Sequence, residues 1–110
     1  MKLITVPLSQ AALVRLDYDT NEDGDLCEIA LTDYDYTTLW EIGVLEELNE
    51  KLGIMIDDYE DESITMEQLA VAKKIVSDYA KHKQSVKPLL DLLNQIILAE
   101  QKHTGVFFYF

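Results

Sequence analysis

Side chains that carry oxygen alternate along residues 19–25 in the pattern of a calcium-binding loop. Asp19, Asn21 and Asp23 occupy every second position, Gly24 follows them, and Asp25 continues the alternation. This order matches the first half of an EF-hand loop, in which side-chain oxygens bind the ion and the glycine permits a sharp turn. The chemistry that this spacing suggests is coordination of Ca²⁺ by Asp19, Asn21, Asp23 and Asp25.

The second half of that loop departs from the calcium pattern. Its last position is Ala30, where an EF-hand carries a glutamate that supplies two of about seven oxygens. Glu28 is the nearby carboxylate that could replace it, and the sequence contains no second loop of this kind. We therefore weigh a calcium-binding module against a solvated turn closed by Asp23 and Gly24, and we favour the turn.

The side chains that most often perform catalysis stand apart from one another. His82 and His103 lie in different predicted elements, each beside lysines. Cys27 has no CxxC partner and no neighbouring positive charge that would stabilise a thiolate. No Walker A, GxGxxG or GxSxG motif is present. We expect a protein that acts by binding rather than by catalysis and that carries no cofactor.

Two short segments combine carboxylates with tyrosines, a composition suited to binding a basic protein surface. Tyrosine provides rigid contact area with a polar tip, and flanking carboxylates attract a cationic partner and accelerate its encounter. The alternative is that the tyrosines cover the core from loops while the acids are simply solvated. The predicted partner-binding residues are Asp33, Tyr34, Asp35, Tyr36, Asp57, Asp58, Tyr59, Glu60, Asp61 and Glu62.

The net charge of −12 is distributed unevenly along the 110 residues. Residues 17–62 contain nine Asp, eight Glu and a single base, Lys51, so they carry −16, while the rest of the chain carries +4. An excess of carboxylates repels nucleic-acid phosphates and anionic lipids, so direct binding to either is disfavoured. We therefore expect a basic protein partner; a related hypothesis is that spaced carboxylates imitate the phosphates of a nucleic acid.

Length and composition predict one soluble, folded domain that covers residues 1–110. A hydrophobic content of 48% argues against disorder, because disordered acidic chains are poor in aliphatic and aromatic residues. A single cysteine, Cys27, is typical of a reducing compartment. No apolar run approaches 18 residues and no signal peptide is recognisable, so we expect a cytoplasmic location.

The N-terminal third predicts strands, with one segment open to two interpretations. Residues 2–6 are β-branched and stop at Pro7, which is typical of a strand near a sheet edge. Residues 14–18 and 27–31 both alternate apolar with polar side chains, which favours a hairpin around the 19–25 loop. The alternative is a helix from Ser9, as N-cap, to Leu16.

A helix is predicted from Leu39 to Leu52, because Thr38 and Glu41 have the spacing of a capping box. Gly53 then ends this helix in the left-handed conformation. Gly43 in its interior indicates a close packing contact.

Two further helices and a last strand complete the predicted fold. Thr65 and Gln68 form a second capping box, while Ser85 caps the last helix and Pro88 lies in its first turn. Residues 106–110 are apolar strand formers that we expect to pair with residues 3–6. The predicted class is α+β, with a small, mainly antiparallel sheet of N-terminal strand, hairpin and C-terminal strand packed against three helices.

Residues 36–50, the acidic run 56–62 and the closing segment 105–110 together resemble small acidic bacterial immunity-type proteins of polymorphic or contact-dependent toxin systems. The resemblance lies in size, charge and layout. It implies an inhibitor that binds one toxin domain, often a basic nuclease, and masks its active site. The families of this type share no contact motif, so the resemblance assigns no role to individual residues.

A last hypothesis is self-association of the chain. An acidic pole on one copy could meet a basic pole on the next, head to tail. The predicted basic pole consists of Lys73, Lys74, Lys81, Lys83 and Lys87.

Overall fold

The chain folds as an α+β protein built on an antiparallel sheet, as the sequence predicts. The computed structural model describes residues 1–83 and 86–110, which form four strands, five α-helices and one 3₁₀ helix. In chain order these are β1 (Lys2–Pro7), α1 (Gln10–Asp17), β2 (Leu26–Leu31), α2 (Asp33–Glu41), α3 (Val44–Leu52), β3 (Asp61–Ile64), the 3₁₀ helix (Met66–Gln68), α4 (Leu69–His82), α5 (Lys87–Lys102) and β4 (Val106–Tyr109).

The sheet has the strand order β2-β1-β4-β3, and every neighbouring pair is antiparallel. The strand β1 is therefore an inner strand rather than the edge strand predicted from Pro7, which lies at its last position. The predicted pairing of the first strand with the last is confirmed, with Ile4 opposite Phe108. Since side chains alternate between the two faces of a strand, Ile4 and Phe108 point to the inner face, where both are fully buried. Phe107 and Tyr109 therefore point to the opposite, outer face.

The predicted hairpin is wrong, because residues 14–18 lie mostly in α1 rather than in a strand. Ser9 caps α1 by accepting a hydrogen bond from the Ala12 N–H at 3.0 Å, as the helical alternative predicts. The strand β2 pairs instead with all six residues of β1. Two apolar members of the alternating pattern, Val14 and Tyr18, are exposed in this structure, so the alternation does not mark a buried face.

The helix predicted from Leu39 begins earlier, at Asp33. Thr32 accepts from the Asp35 N–H at 3.0 Å and the Asp35 carboxylate accepts from the Thr32 N–H at 3.2 Å, so the capping box lies six residues upstream of the predicted one. Thr38 lies inside α2, where its hydroxyl donates to the Tyr34 carbonyl at 2.8 Å.

Gly43 divides the predicted helix into α2 and α3. It adopts a left-handed conformation with φ of 92°, which a residue with a side chain rarely takes. The predicted close contact is also present, since a Cβ at this position would lie 3.4 Å from the Tyr79 hydroxyl. Gly53 ends α3 in the left-handed conformation that the sequence predicts.

Helices α2 to α5 lie on the inner side of the sheet, and a buried amide fixes α5 beneath it. The Gln95 side chain donates to the Ile4 carbonyl at 3.0 Å and to the Cys27 carbonyl at 2.9 Å, so it joins one helix to two strands. The helix α4 packs against the outside of α5. None of the helices in the described residues is both long enough and apolar enough to cross a membrane.

The sequence signals predicted to start the last two helices are Thr65 with Gln68 for α4, and Ser85 with Pro88 for α5. The Thr65 N–H donates to the Gln68 side-chain oxygen at 3.1 Å, as in the predicted capping box, although the first turn is 3₁₀ before α4 begins. The predicted cap Ser85 lies outside the described residues. Pro88 lies in the first turn of α5, as predicted.

Gly105 permits the close approach of β3 to the start of β4. A Cβ at Gly105 would lie 2.6 Å from the Ile64 carbonyl oxygen, a backbone atom that cannot move aside. We predict that Gly105→Ala lowers the free energy of unfolding by about 1 to 3 kcal/mol, measured by urea denaturation. Gly24→Ala is the control. Gly24 has φ of 85° and open space around it, so the stability lost in this variant measures the cost of the backbone conformation alone. Equal stability of Gly105→Ala and the unmodified chain would contradict the close contact.

Candidate functional site

The acidic connections of the chain leave the sheet at one end. Leu31, the last residue of β2, pairs with Lys2, the first residue of β1, and Asp61, the first residue of β3, pairs with Tyr109 at the end of β4. Thr32 therefore starts α2 at the same end at which residues 57–60 enter β3. The two acidic segments that the sequence singles out therefore lie at the same end of the sheet, although they adjoin its opposite edges, β2 and β3.

An asparagine side chain holds the segment that leads into the acidic loop. The Ile56 N–H donates to Asn49 Oδ1 at 2.6 Å, and Asn49 Nδ2 donates to the Ile56 carbonyl at 3.0 Å. Ile56 is buried, whereas residues 57–60 directly after it are exposed. The amide thus imitates the pairing of a neighbouring strand and fixes the point from which the loop projects.

The Lys2 ammonium group joins the loop to α2 and to the last strand. Its Nζ lies 2.5 Å from Asp58 Oδ1, donates to the Phe110 carbonyl at 3.3 Å, and lies 4.4 Å from the centre of the Tyr36 ring. The hydrogen bond to Asp58 raises the pKa of Lys2 above its ordinary value. A single cation therefore lies between the two acidic segments and is in contact with both.

Tyr36 is buried, so its predicted role as a partner-contacting side chain does not fit the structure. Its exposed fraction is 8%, and its ring makes edge-on contacts with Phe110 at 5.1 Å and with Trp40 at 6.3 Å between ring centres. Burial raises the pKa of the Tyr36 hydroxyl, and the nearby carboxylates of Asp58 and Asp57 also raise it. Because α2 begins at Asp33, Tyr36 lies one turn into the helix and faces the core.

The other two tyrosines of this region are exposed. Tyr34 is 76% exposed at the start of α2, and Tyr59 is 96% exposed in the loop. Tyr59 also has a left-handed backbone with φ of 63°, a conformation that a bulky side chain rarely adopts and that often marks functional loops. Both rings are available to a partner at the end of the sheet where the carboxylates gather.

Glu62 has a structural role at the edge of the sheet. The Phe110 N–H donates to the Glu60 carbonyl, so the alternation of an antiparallel ladder directs the Ser63 N–H away from β4. The Glu62 carboxylate accepts from that N–H at 2.8 Å and from the Met55 N–H at 2.8 Å. Both of its oxygens are engaged, and an amide on the free edge of β3 is satisfied within the chain.

The partner-binding residues predicted from sequence therefore separate into groups. Asp35 is the helix-capping carboxylate, Glu62 bonds backbone amides, Tyr36 is buried, and Asp61 lies on the outer face of the sheet. We call the remaining set the acidic end: Asp33, Tyr34, Asp57, Asp58, Tyr59 and Glu60.

A groove that the sequence does not predict adjoins this surface. It lies between α1 and the outer face of the sheet and has a volume of about 420 Å³. Phe107 and Tyr109 form part of its wall, and Asp17, Asp19 and Asp61 lie around it. Residues 106–110 are apolar throughout, so the sequence alone does not show which of them face outward. The other wall of the groove depends on α1, which the hairpin interpretation removes.

In residues 19–25, which carry the calcium pattern, Asp25 forms an ion pair with Arg15. Asp25 is buried, and Arg15 donates to both of its oxygens, from Nε at 2.8 Å and from Nη2 at 2.7 Å. The Glu22 N–H donates to Asp25 as well, at 2.8 Å. Across residues 1–83 and 86–110, no group of three or more His, Cys, Asp or Glu side chains is arranged to hold a metal ion. Of the four predicted calcium ligands, Asp25 is thus engaged by Arg15 and by the Glu22 N–H.

The predicted basic pole is largely neutralised within the chain. Each of its ion pairs joins a lysine to a carboxylate on α4 or α5: Lys73 to Glu100, Lys74 and Lys81 to Asp78, and Lys87 to Asp91. Such exposed pairs contribute little to stability, but they reduce the positive field that a head-to-tail contact needs.

The fold and this surface define a small α+β protein with its acidic residues concentrated at one end of an antiparallel sheet. No family model, no curated protein and no solved structure matches the chain. Function therefore has to be inferred from the acidic end and from the groove beside it.

The Arg15–Asp25 pair leads to a prediction of pH dependence. The two hydrogen bonds from Arg15, with a further one from the Glu22 N–H, lower the pKa of Asp25 from 3.8 to about 2. Because the folded-state pKa is below the unfolded value, the pair stabilises the fold above pH 3.8, and this stabilisation is lost as the pH falls toward 2.

We predict that Arg15→Gln returns the Asp25 pKa toward 3.8, measured by carboxyl-carbon NMR titration. Lys51→Gln makes the same change in net charge on the exposed side of α3 and serves as the control. An Asp25 pKa that shifts equally in the two variants would show that general charge, rather than the contact with Arg15, sets its value.

Proposed function

We propose that this protein acts by binding, and that its acidic end docks on and masks a basic surface of a partner protein. The observation that carries the proposal is the convergence of two acidic segments, with exposed Tyr34 and Tyr59, at one end of the sheet. Carboxylates in the loop steer a cationic partner to this end, and the tyrosines supply contact area once it arrives.

The physical support for this proposal is the number of carboxylates at the acidic end that are exposed and carry no ion pair with a lysine or arginine of the described residues. Asp33, Asp57 and Glu60 are exposed and Lys2 pairs with Asp58, so most of the negative charge at this end remains available to a partner. The left-handed backbone of Tyr59 supports the same role, because strained backbone positions cluster in ligand-binding and active-site segments.

The more specific proposal is that the partner is a bacterial toxin domain, with a basic nuclease as the leading case. This follows from the resemblance of residues 36–50, 56–62 and 105–110 to immunity-type proteins. A nuclease active site is cationic because it binds phosphates, so an acidic end that covers it would exclude the substrate. Imitation of the nucleic acid by spaced carboxylates is one way to achieve the same block.

The test uses the products of the reading frames next to this gene. We predict that one of them is basic, is toxic when expressed alone, and is neutralised when this chain is expressed with it. The triple variant Asp33→Asn, Asp57→Asn, Glu60→Gln should associate with it about tenfold more slowly at 50 mM salt and show a flatter salt dependence, measured by surface plasmon resonance. Asp58 is left unchanged because it holds Lys2.

A matched control removes the same charge from carboxylates outside the acidic end. Asp23→Asn, Glu46→Gln, Glu67→Gln changes three exposed carboxylates in the 18–25 loop, α3 and the 3₁₀ helix. Equal association rates for the two triple variants would reject the acidic end as the docking surface. Absence of any neutralised neighbouring product would reject the toxin partner.

Tyr59 provides a second test that separates stability from binding. Tyr59→Gly relieves a left-handed backbone that costs roughly 1 to 2 kcal/mol, so we predict that stability is unchanged or higher. The same change removes an exposed ring, so dissociation from the partner should become faster. Tyr59→Ala is the control, because it removes the ring and keeps the backbone cost. A large loss of stability in both variants would show that the ring packs against its own chain.

A further inference from the structure

We propose that the groove between α1 and the outer face of β3 and β4 is an anchor site for an arginine side chain presented by a basic polypeptide. The proposal rests on the proposed function in one respect, which is that the arginine belongs to the partner that docks on the acidic end. The chemistry of the groove can be tested without that partner.

The floor of the groove suits a planar cation. Phe107 and Tyr109 are successive outer-face residues of β4, and their rings lie 6.4 Å apart with planes inclined by only 15°. A guanidinium group stacks on aromatic faces and gains from the ring quadrupole, whereas its aliphatic stem packs on apolar side chains. Leu13 and Leu16 of α1 line the opposite wall and supply that apolar surface.

The charge around the groove is negative and lacks a cation of its own. Three aspartates line it, Asp17 and Asp19 at the end of α1 and Asp61 at the start of β3, while no lysine, arginine or histidine of the described residues does so. Burial raises the pKa of the Tyr109 hydroxyl, and the carboxylates of Asp61, Asp19 and Glu28 raise it further. These carboxylates therefore lie near enough to Tyr109 to favour a positive group beside it.

Size and shape are consistent with one long side chain entering from a docked polypeptide. The volume of about 420 Å³ lies at the lower end of the range for ligand pockets in proteins. The groove is open to solvent along the sheet, so a side chain can enter without any movement of α1. Addition of a partner strand at the edge of β3 is opposed, because Glu62 already accepts a hydrogen bond from the Ser63 N–H there.

The groove is continuous with the acidic end. Asp61 directly follows Glu60, the last residue of the acidic loop, and Asp61 faces Tyr109 across the β3–β4 pair. A partner that approaches the loop therefore passes the mouth of the groove. One arginine in the groove would fix the orientation of a partner that the exposed carboxylates attract without specifying how it is rotated.

The experiment titrates the intact chain with three blocked tripeptides, in which glycine flanks arginine, lysine or citrulline. Citrulline has the shape of arginine without its charge. We expect the arginine peptide to shift the NMR signals of Phe107, Tyr109 and Leu13, and to bind about tenfold more tightly than the citrulline peptide and measurably more tightly than the lysine peptide. Equal binding of citrulline would overturn the proposal, as would equal binding of lysine.

Two double variants with the same change in charge locate the site. Asp17→Asn, Asp61→Asn should reduce the affinity for the arginine peptide about tenfold, while Asp33→Asn, Asp57→Asn should leave it within about twofold. Loss of Asp17 removes a negative charge from the C-terminal end of α1, which favours the helix, so the fold is expected to persist. Equal losses in both double variants would overturn the groove as the site.

The failure of this proposal can be told apart from the failure of the proposed function. If the arginine peptide does not bind the groove but the acidic-end variants still slow association with the partner, the docking surface is supported and the arginine site is rejected. If the peptide binds and the acidic-end variants do not change the rate of association with the partner, the arginine site is supported and the proposed docking surface is rejected.

Discussion

The acidic end of the molecule depends on the placement of one ammonium group between two acidic segments. Residues 33–36 and 57–60 would repel each other if they met without a cation between them. Lys2 contacts Asp58, the Tyr36 ring and the Phe110 carbonyl, and its side chain is mostly shielded from solvent. An exposed ion pair contributes little by itself, but here one cation satisfies three partners that come from separate parts of the chain. The strand order makes this contact available, because β1 begins where the acidic connections meet.

The sequence predicts the elements whose signals are local and leaves open those that depend on a partner elsewhere. The strands β1 and β4 follow from β-branched and aromatic residues, and their pairing follows from the need to cover an apolar final segment. The hairpin prediction is wrong because residues 14–18 fit two patterns, an alternating strand and the end of a helix that Ser9 caps. The helix forms, and β2 pairs with β1 instead of with residues 14–18. Two helix-start signals, Thr32 with Asp35 and Thr38 with Glu41, likewise lie six residues apart, and the structure forms the capping box at the first of them.

The site is predicted in part for the same reason. Carboxylates and tyrosines in two segments indicate a surface, and the exposed Tyr34 and Tyr59 lie on it. Glu62 is engaged because the Ser63 N–H points away from β4, and Asp25 is engaged because Arg15 of α1 lies beside it. Neither contact can be predicted from the residues next to Glu62 or Asp25 in the sequence. The groove is missed because its walls come from α1 and β4, which lie far apart in the chain and meet only across the outer face of the sheet.

The same contacts also indicate how a partner can be recognised. An exposed edge strand invites another chain to add a strand, and the hydrogen bond from the Ser63 N–H to Glu62 opposes this at β3. Under the proposed function, recognition beside β3 would therefore depend on side chains: the carboxylates, the two exposed tyrosines and the aromatic groove. Side-chain recognition suits a protein with this charge, because the attraction acts before contact and speeds the encounter. The rings then act only once water has been displaced between the surfaces. An acidic surface without such rings would attract basic proteins indiscriminately, so the tyrosines and the groove are the features through which this end of the molecule can select one of them.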